Sequence, residues 1–311
     1  MKHFLKVTDL TVDEIGEVFA LAAEYKANRT ATPKELAGES WGMLFYKNST
    51  RTRVSFEVGL VELGAHPVIL NSQSTQISRG ESTSDTAKVL SRYLHGLIIR
   101  CYDHAVLEEF ASAGSVPIVN ALSDYAHPCQ ILADAFTLAE RWAKDGDHLG
   151  ALKGRKLAFL GDTNCNMANS WLLAGAHLGI DIALGGPDSL APGPEVRVDL
   201  KKLGKDVDSQ FFTDPNAAAQ DADVVYTDVW VSMGAEANAA DRLKSLRPYQ
   251  VNDSIMAQAK DDAYFLHCLP AHLGEEVTEE VYNGPQSIVF DQAENRLHVQ
   301  KAILAVLAKG R

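Results

Sequence analysis

Short apolar runs, separated by stretches with helical spacing, set the rhythm of this chain. In the first half the runs are 41–46, 67–70, 96–99 and 117–121, each of a length that suits a buried strand. Between them, Phe56, Leu60 and Leu63 recur at helical spacing, and so do Ala87, Leu90 and Leu94 beyond Thr83. Thr11-Val12-Asp13-Glu14 reads as a capping box, followed by Ile15, Val18, Phe19 and Ala22 on one helical face. The second half carries apolar runs at 156–160, 180–184, 223–226, 263–266 and 287–290, a helical pattern over 168–178 and a last helix over 297–309. Strands alternating with helices in both halves predict an α/β protein of two doubly wound domains with mainly parallel sheets. The charged, glycine-bearing stretch 144–150 breaks the rhythm and is the expected boundary. The expected domains are therefore 1–145 plus the C-terminal helix 297–311, and 146–296.

Polar residues cluster just past the apolar runs. The clusters are 49–53, Arg100, 127–130, 162–166, Asp228, His267-Cys268 and Asp291. In open α/β sheets ligands bind beyond the carboxyl ends of the strands, so two such domains predict an active site in the cleft between them. The richest cluster is Ser49-Thr50-Arg51-Thr52-Arg53, placed where a strand gives way to a helix. Unpaired N–H groups and the positive end of the dipole suit an anion there, and the arginines and hydroxyls suit phosphate. The plainer alternative is a capping serine followed by solvated arginines.

Composition narrows the choices. A net charge of −12 over 311 residues argues against a nucleic-acid surface. No apolar run reaches membrane-spanning length, and Lys2, His3, Lys6 and Asp9 near the N-terminus do not make a signal peptide. Cys101, Cys129, Cys165 and Cys268 lack metal-type or paired spacing, which predicts reduced thiols and a cytoplasmic protein. Gly161-Asp162-Thr163-Asn164-Cys165-Asn166 follows a strand but lacks the glycine fingerprint of a dinucleotide site. Adjacent strand residues point to opposite faces, so His267 and Cys268 are not expected to pair. His66, His95, His177 and His298 read as structural or surface residues.

Together, 49–53 and His127-Pro128-Cys129-Gln130 resemble the carbamoyl-phosphate signature of the aspartate/ornithine carbamoyltransferase family. Asp228-Val229-Trp230-Val231-Ser232-Met233-Gly234, His267-Cys268-Leu269-Pro270 and Asp291-Gln292-Ala293-Glu294-Asn295-Arg296 resemble its ornithine branch. The resemblance implies carbamoyl transfer from carbamoyl phosphate to the δ-amine of L-ornithine, giving L-citrulline and phosphate, with no metal or organic cofactor. It implies a phosphate cradle from Ser49, Thr50, Arg51 and Thr52, and donors to the carbonyl oxygen from Arg100, His127 and Thr52. Gln130, Cys268, Leu269 and Arg296 correspond to further carbamoyl-phosphate contacts, and Gln76 to a residue supplied by a neighbouring subunit of a homotrimer. Asn166, Asp228, Ser232 and Met233 correspond to the ornithine contacts, and Arg100, His127 and Cys268 to the catalytic groups. A thiol near pKa 8.5 is a weak base for an amine near 10.4, so positioning of a neutral amine by Cys268 and Asp228 is the alternative. Cys165 departs from the asparagine expected in the ornithine branch. The rival activities are carbamoylation of another amine (N-acylornithine, putrescine, aspartate) and a non-catalytic regulatory relative.

Overall fold

The computed structural model of this chain describes residues 2–72, 75–231 and 239–310. The chain divides into two compact units, Met1–Glu140 with Glu294–Arg311, and Arg141–Ala293. In unit one, α1 (Val12–Ala27) starts on the capping box: Glu14 N–H donates to Thr11 Oγ1 at 3.2 Å and Thr11 N–H to Glu14 Oε2 at 2.7 Å. There follow β1 (Ser40–Phe45), α2 (Arg51–Glu62), β2 (His66–Asn71), α3 (Thr83–Leu90), β3 (Gly96–Arg100), α4 (His104–Ala113), β4 (Ile118–Leu122) and α5 (Pro128–Trp142). The sheet order is β2-β1-β3-β4, with every pair parallel. Central β3 is buried along its whole length, as a parallel strand covered on both faces must be, and edge strand β2 is not. Leu44, Leu97, Ile99, Leu107, Phe110 and Ile118 pack together as its core. Gly96 is a packing requirement: a Cβ there would lie 2.3 Å from the ring of Trp41.

Unit two contains β5 (Lys156–Leu160), α6 (Asn166–Leu178), β6 (Asp181–Gly185), α7 (Pro194–Lys202), β7 (Phe211–Phe212), α8 (Pro215–Ala219), β8 (Val224–Thr227), α9 (Ala239–Leu246), α10 (Asp253–Met256), β9 (Tyr264–His267) and α11 (Glu279–Tyr282). Its sheet, β7-β6-β5-β8-β9, is also parallel throughout. Ala158, Leu160, Val225, Phe265 and Val289 belong to its core. Helix α12 (Val289–Lys309) starts in this unit and groups with unit one from Glu294 onward.

The apolar run 287–290 is not a strand. Ser287 makes an isolated bridge to Phe265, and the helix begins at Val289, eight residues earlier than the pattern suggests. A short apolar run looks the same on a buried strand and on a buried helical turn, and here Gln292 N–H donates to Ile288 O at 3.0 Å. Asp291 therefore lies in the first turn of α12 rather than beyond a strand.

Both sheets have a switch point. Strand addition runs from β1 out to β2 and returns on the other side with β3; it runs from β5 to β6 and β7 and returns with β8. Ligand crevices form where strand order reverses. Those places are the ends of β1 and β3 in one unit, and of β5 and β8 in the other.

Candidate active site

In unit one, the link from β1 to α2 holds the arginine- and hydroxyl-rich turn. Thr50 is the N-cap residue, at φ −85° and ψ −60°, and makes no side-chain cap hydrogen bond. The turn is thus not explained by a capping serine. Arg51 is exposed and Thr52 buried, while Arg53 leans along the helix toward Glu57 at 3.9 Å. Both arginines are exposed, and Arg53 is the one that lies beside a carboxylate of its own helix. Just before the turn, the buried Lys47 ammonium pairs with Asp124 and stands 4.1 Å over the ring of Tyr102.

Arg100 is the last residue of β3 and is buried. His127 immediately precedes Pro128, which opens α5 with a residue that has no N–H to leave unpaired. Burial first, then the positive charges of Arg296 and Arg100, holds the His127 imidazole well below its ordinary range, so it is neutral near pH 7. Gln130 donates from Nε2 to buried Asp134 Oδ1 at 2.7 Å, and its Oε1 accepts from Arg296 Nη1. Arg296 Nη2 also donates to Thr52 Oγ1 at 3.0 Å. Thr52, His127, Gln130 and Arg296 are therefore one cluster, drawn from α2, the start of α5 and α12. Gln76 lies exposed on the 3-10 turn Gln76–Arg79, while neighbouring Ile77 packs on the core.

In unit two, the turn after β5 requires Gly161, whose φ of 123° disfavours any side chain and whose Cβ would meet Trp230 Nε1 at 3.1 Å. Asn166 is the first residue of α6, and Cys165 is its N-cap, accepting from Ala168 N–H at 3.5 Å. Cys165 thus fills a capping role with sulfur, and burial pushes its thiol well above the usual range. Asp228, just past β8, accepts from Cys268 Sγ at 2.9 Å and from its neighbour Val229 N–H at 2.7 Å, both on Oδ1. Ser232 and Met233 lie outside the described residues. On either side of that gap, Arg242 reaches the Trp230 carbonyl and the buried carboxylate of Asp162.

Strand β9 ends at His267, so face alternation does not govern Cys268, and Asp228, His267 and Cys268 bring potential ligand atoms within 4.8 Å of one another. His267 is nonetheless committed elsewhere. Its Nδ1 accepts from Leu269 N–H at 2.8 Å, which fixes the Nε2–H tautomer, and that proton points at Glu276 Oε1, 3.0 Å away. Glu276 Oε1 also accepts from His272 N–H at 2.6 Å. The bonds hold Leu269 at φ 57°, a left-handed conformation that costs a leucine on the order of 1–3 kcal/mol. Lys47, Arg242 and Glu276 were not anticipated from sequence. Only Lys47 adjoins a motif; a buried carboxylate and an arginine on a later helix carry no local signal.

Known proteins resemble this chain in sequence and fold. The carbamoyl-P binding domain of aspartate/ornithine carbamoyltransferase matches residues 2–140, and the Asp/Orn binding domain matches residues 153–307. An ornithine carbamoyltransferase of Methanoculleus marisnigri is 50% identical over 311 residues, covering 99% of this chain and 97% of that protein. One from Rhodococcus opacus is 46% identical over 313 residues, covering 100% of this chain and 97% of the relative. Among solved structures, the ornithine carbamoyltransferase from Pyrococcus furiosus has a TM-score of 0.89 at 43% identity, over 100% of this chain and 98% of that one.

Proposed function

We propose a residue-level account of catalysis for this chain, which belongs to the aspartate/ornithine carbamoyltransferase family and transfers the carbamoyl group of carbamoyl phosphate to ornithine, giving citrulline. Carbamoyl phosphate is assigned to unit one. Its phosphate takes the N-terminus of α2 with Ser49, Thr50, Arg51 and Thr52, and its carbonyl oxygen faces Arg100, His127 and Thr52. The observation that carries this is the buried Arg296 guanidinium bridging Thr52 and Gln130 beside a neutral His127. Gln130 and the backbone acceptors at Cys268 and Leu269 orient the carbamoyl NH2. Ornithine is assigned to unit two, with Asp228 for the α-ammonium group, Asn166 for the α-carboxylate, and Ser232 and Met233 as further contacts.

As the neutral δ-amine attacks, a C–N bond forms and negative charge gathers on the carbonyl oxygen; the C–O bond to phosphate then breaks, and the proton shed by the amine leaves on the departing phosphate. Fixed donors at that oxygen act only as charge develops, and removing one costs about 10²–10³ in rate. A neutral His127 donates a hydrogen bond there from its one N–H and keeps that proton. Cys268, in contact with Asp228, positions ornithine. The chemistry asks for no metal or organic cofactor.

Shared sites in a homotrimer fit exposed Gln76 and the uncovered valines Val54 and Val61, which sit on one face of α2 in unit one. Thiols at Cys101, Cys129, Cys165 and Cys268, none of them in a disulfide, suit a reducing cytoplasm; among the described residues no helix is long and apolar enough to cross a membrane. The deciding experiment is an initial-rate assay with carbamoyl phosphate and a panel of amines. Ornithine should outpace putrescine, N-acetylornithine and aspartate; faster turnover of any of these overturns the assignment of the amine site.

A further inference from the structure

We infer that Gln300 is the positioning residue that aims the Arg296 guanidinium at carbamoyl phosphate without itself setting a negative charge against it. The inference rests on the assignment of Arg296 to that substrate. Gln300 is fully buried on α12, one turn after Arg296. With its amide oxygen turned toward the guanidinium, it accepts from Arg296 Nε at 3.1 Å and Nη2 at 2.8 Å, and its amide nitrogen donates to Ser55 Oγ at 2.6 Å. Ser55 Oγ in turn donates to the Thr52 carbonyl at 3.2 Å. Arg296 Nη2 closes the circuit on Thr52 Oγ1 at 3.0 Å. The result is a closed ring of four residues, Arg296, Gln300, Ser55 and Thr52, which passes through the Thr52 main chain and joins α12 to the start of the phosphate-binding helix.

The ring gives a reason for an amide at this position. A guanidinium is planar with its donors in a fixed fork, so two bonds to one oxygen set its plane as well as its place. Gln130 engages Nη1 from α5, so the fork is held from three helices. A carboxylate at 300 would hold the same two donors more strongly, but it would pair with the charge that the phosphate dianion is meant to meet. An amide orients the fork without neutralising it. Its second arm, the NH2 on Ser55, would be lost on substitution by an acid. Residues four apart on a helix face one another, which lets Gln300 reach back to Arg296 on its own helix.

The test uses the full-length protein in three variants, Arg296→Lys, Gln300→Leu and Gln300→Glu. KM for carbamoyl phosphate is measured at saturating ornithine, KM for ornithine at saturating carbamoyl phosphate, and thermal midpoints alongside. Arg296→Lys, which loses the fork, should raise KM for carbamoyl phosphate by about 10²-fold. Gln300→Leu should raise it by about 10-fold and lower the melting temperature. Gln300→Glu should raise it by about 10²-fold with an unchanged or higher melting temperature, because the new ion pair supports the fold while spending the charge. KM for ornithine should stay within about twofold in both Gln300 variants. A purely structural Gln300 would lose stability and substrate affinity together, so the stable Glu variant separates the roles. If Arg296→Lys is impaired while folded Gln300→Glu keeps a wild-type KM for carbamoyl phosphate, the positioning role is wrong. If Arg296→Lys itself binds carbamoyl phosphate normally, the assignment of Arg296 fails, and the inference with it.

Discussion

Replacing Glu276 by leucine should release the turn that presents Cys268 and Leu269, and the structure sets the scale. Two donors end on Glu276 Oε1, His267 Nε2 at 3.0 Å and His272 N–H at 2.6 Å, and both His267 and Glu276 are fully buried. Stranding the buried His267 donor costs about 1–3 kcal/mol, whereas water can take the N–H of exposed His272, so Glu276→Leu should cost unit two about 1–3 kcal/mol. With the imidazole no longer fixed, the bond from Leu269 N–H to His267 Nδ1 would have to hold the left-handed leucine alone. One neutral hydrogen bond contributes about 0.5–1.5 kcal/mol, no more than the strain of about 1–3 kcal/mol, so the turn should relax. Displacing reacting groups by about an ångström can cost around 10²-fold in rate. Glu276→Gln is the control. It keeps the oxygen that accepts both bonds, and the second carboxylate oxygen has no hydrogen-bond partner among the described residues. The charge is lost and an amide NH2 enters that unpartnered place, so Glu276→Gln should cost about 1–3 kcal/mol yet keep the turn and kcat. Urea unfolding followed by fluorescence reports chiefly on this unit, which holds Trp142, Trp171 and Trp230 of the four tryptophans. If Glu276→Leu unfolds within about 1 kcal/mol of wild type and keeps its kcat, the pair does not hold the turn and the reasoning fails.

Acid should weaken the fold through histidines that burial keeps neutral. Desolvation, aided by Lys301, Lys26 and Arg29, lowers His298 from 6.5 to about 4. The unfolded chain takes up a proton that the folded chain resists, so this stability is complete above pH 6.5 and lost as pH falls toward 4, by up to about 3 kcal/mol; melting temperatures of His298→Gln across this range should show a shallower acid limb. Cys268→Ser should retain measurable turnover and weaken ornithine more than carbamoyl phosphate, whereas complete loss of turnover with normal ornithine binding by calorimetry would favour proton transfer to the thiol. Mixing Gln76→Ala with Arg51→Ala chains by unfolding and refolding should restore activity that neither has alone, with about one intact site in each mixed closed ring. Demonstrated subunit exchange without recovery would place Gln76 in its own chain's site or nowhere in catalysis.

Local pattern was enough for most of the framework. Buried parallel strands must be continuous apolar runs, so β1, β3 to β5 and β9 stand within a residue or so of the runs that mark them. Each parallel strand also delivers its following loop to the same edge of the sheet, and for that reason the polar clusters at 49–53, Arg100, 127–130 and Asp228 could be ranked as candidate site residues from one dimension. The pattern failed where a short apolar run carried no period of its own, at 287–290, which begins a helix, and at β7, whose two residues are too few to show one. What no local reading supplies is which side chains meet across the chain. Arg296 bonds to Gln130 and to Thr52 at sequence separations of 166 and 244 residues. Arg242 finds Asp162 from 80 residues away, and Gln300 closes its ring on Ser55. A polar residue inside a helix looks the same in sequence whether water or a buried guanidinium receives it. Only packing α12 against α2 and α5 removes the water, and once water is gone each buried donor must find a protein acceptor or bear the cost of having none.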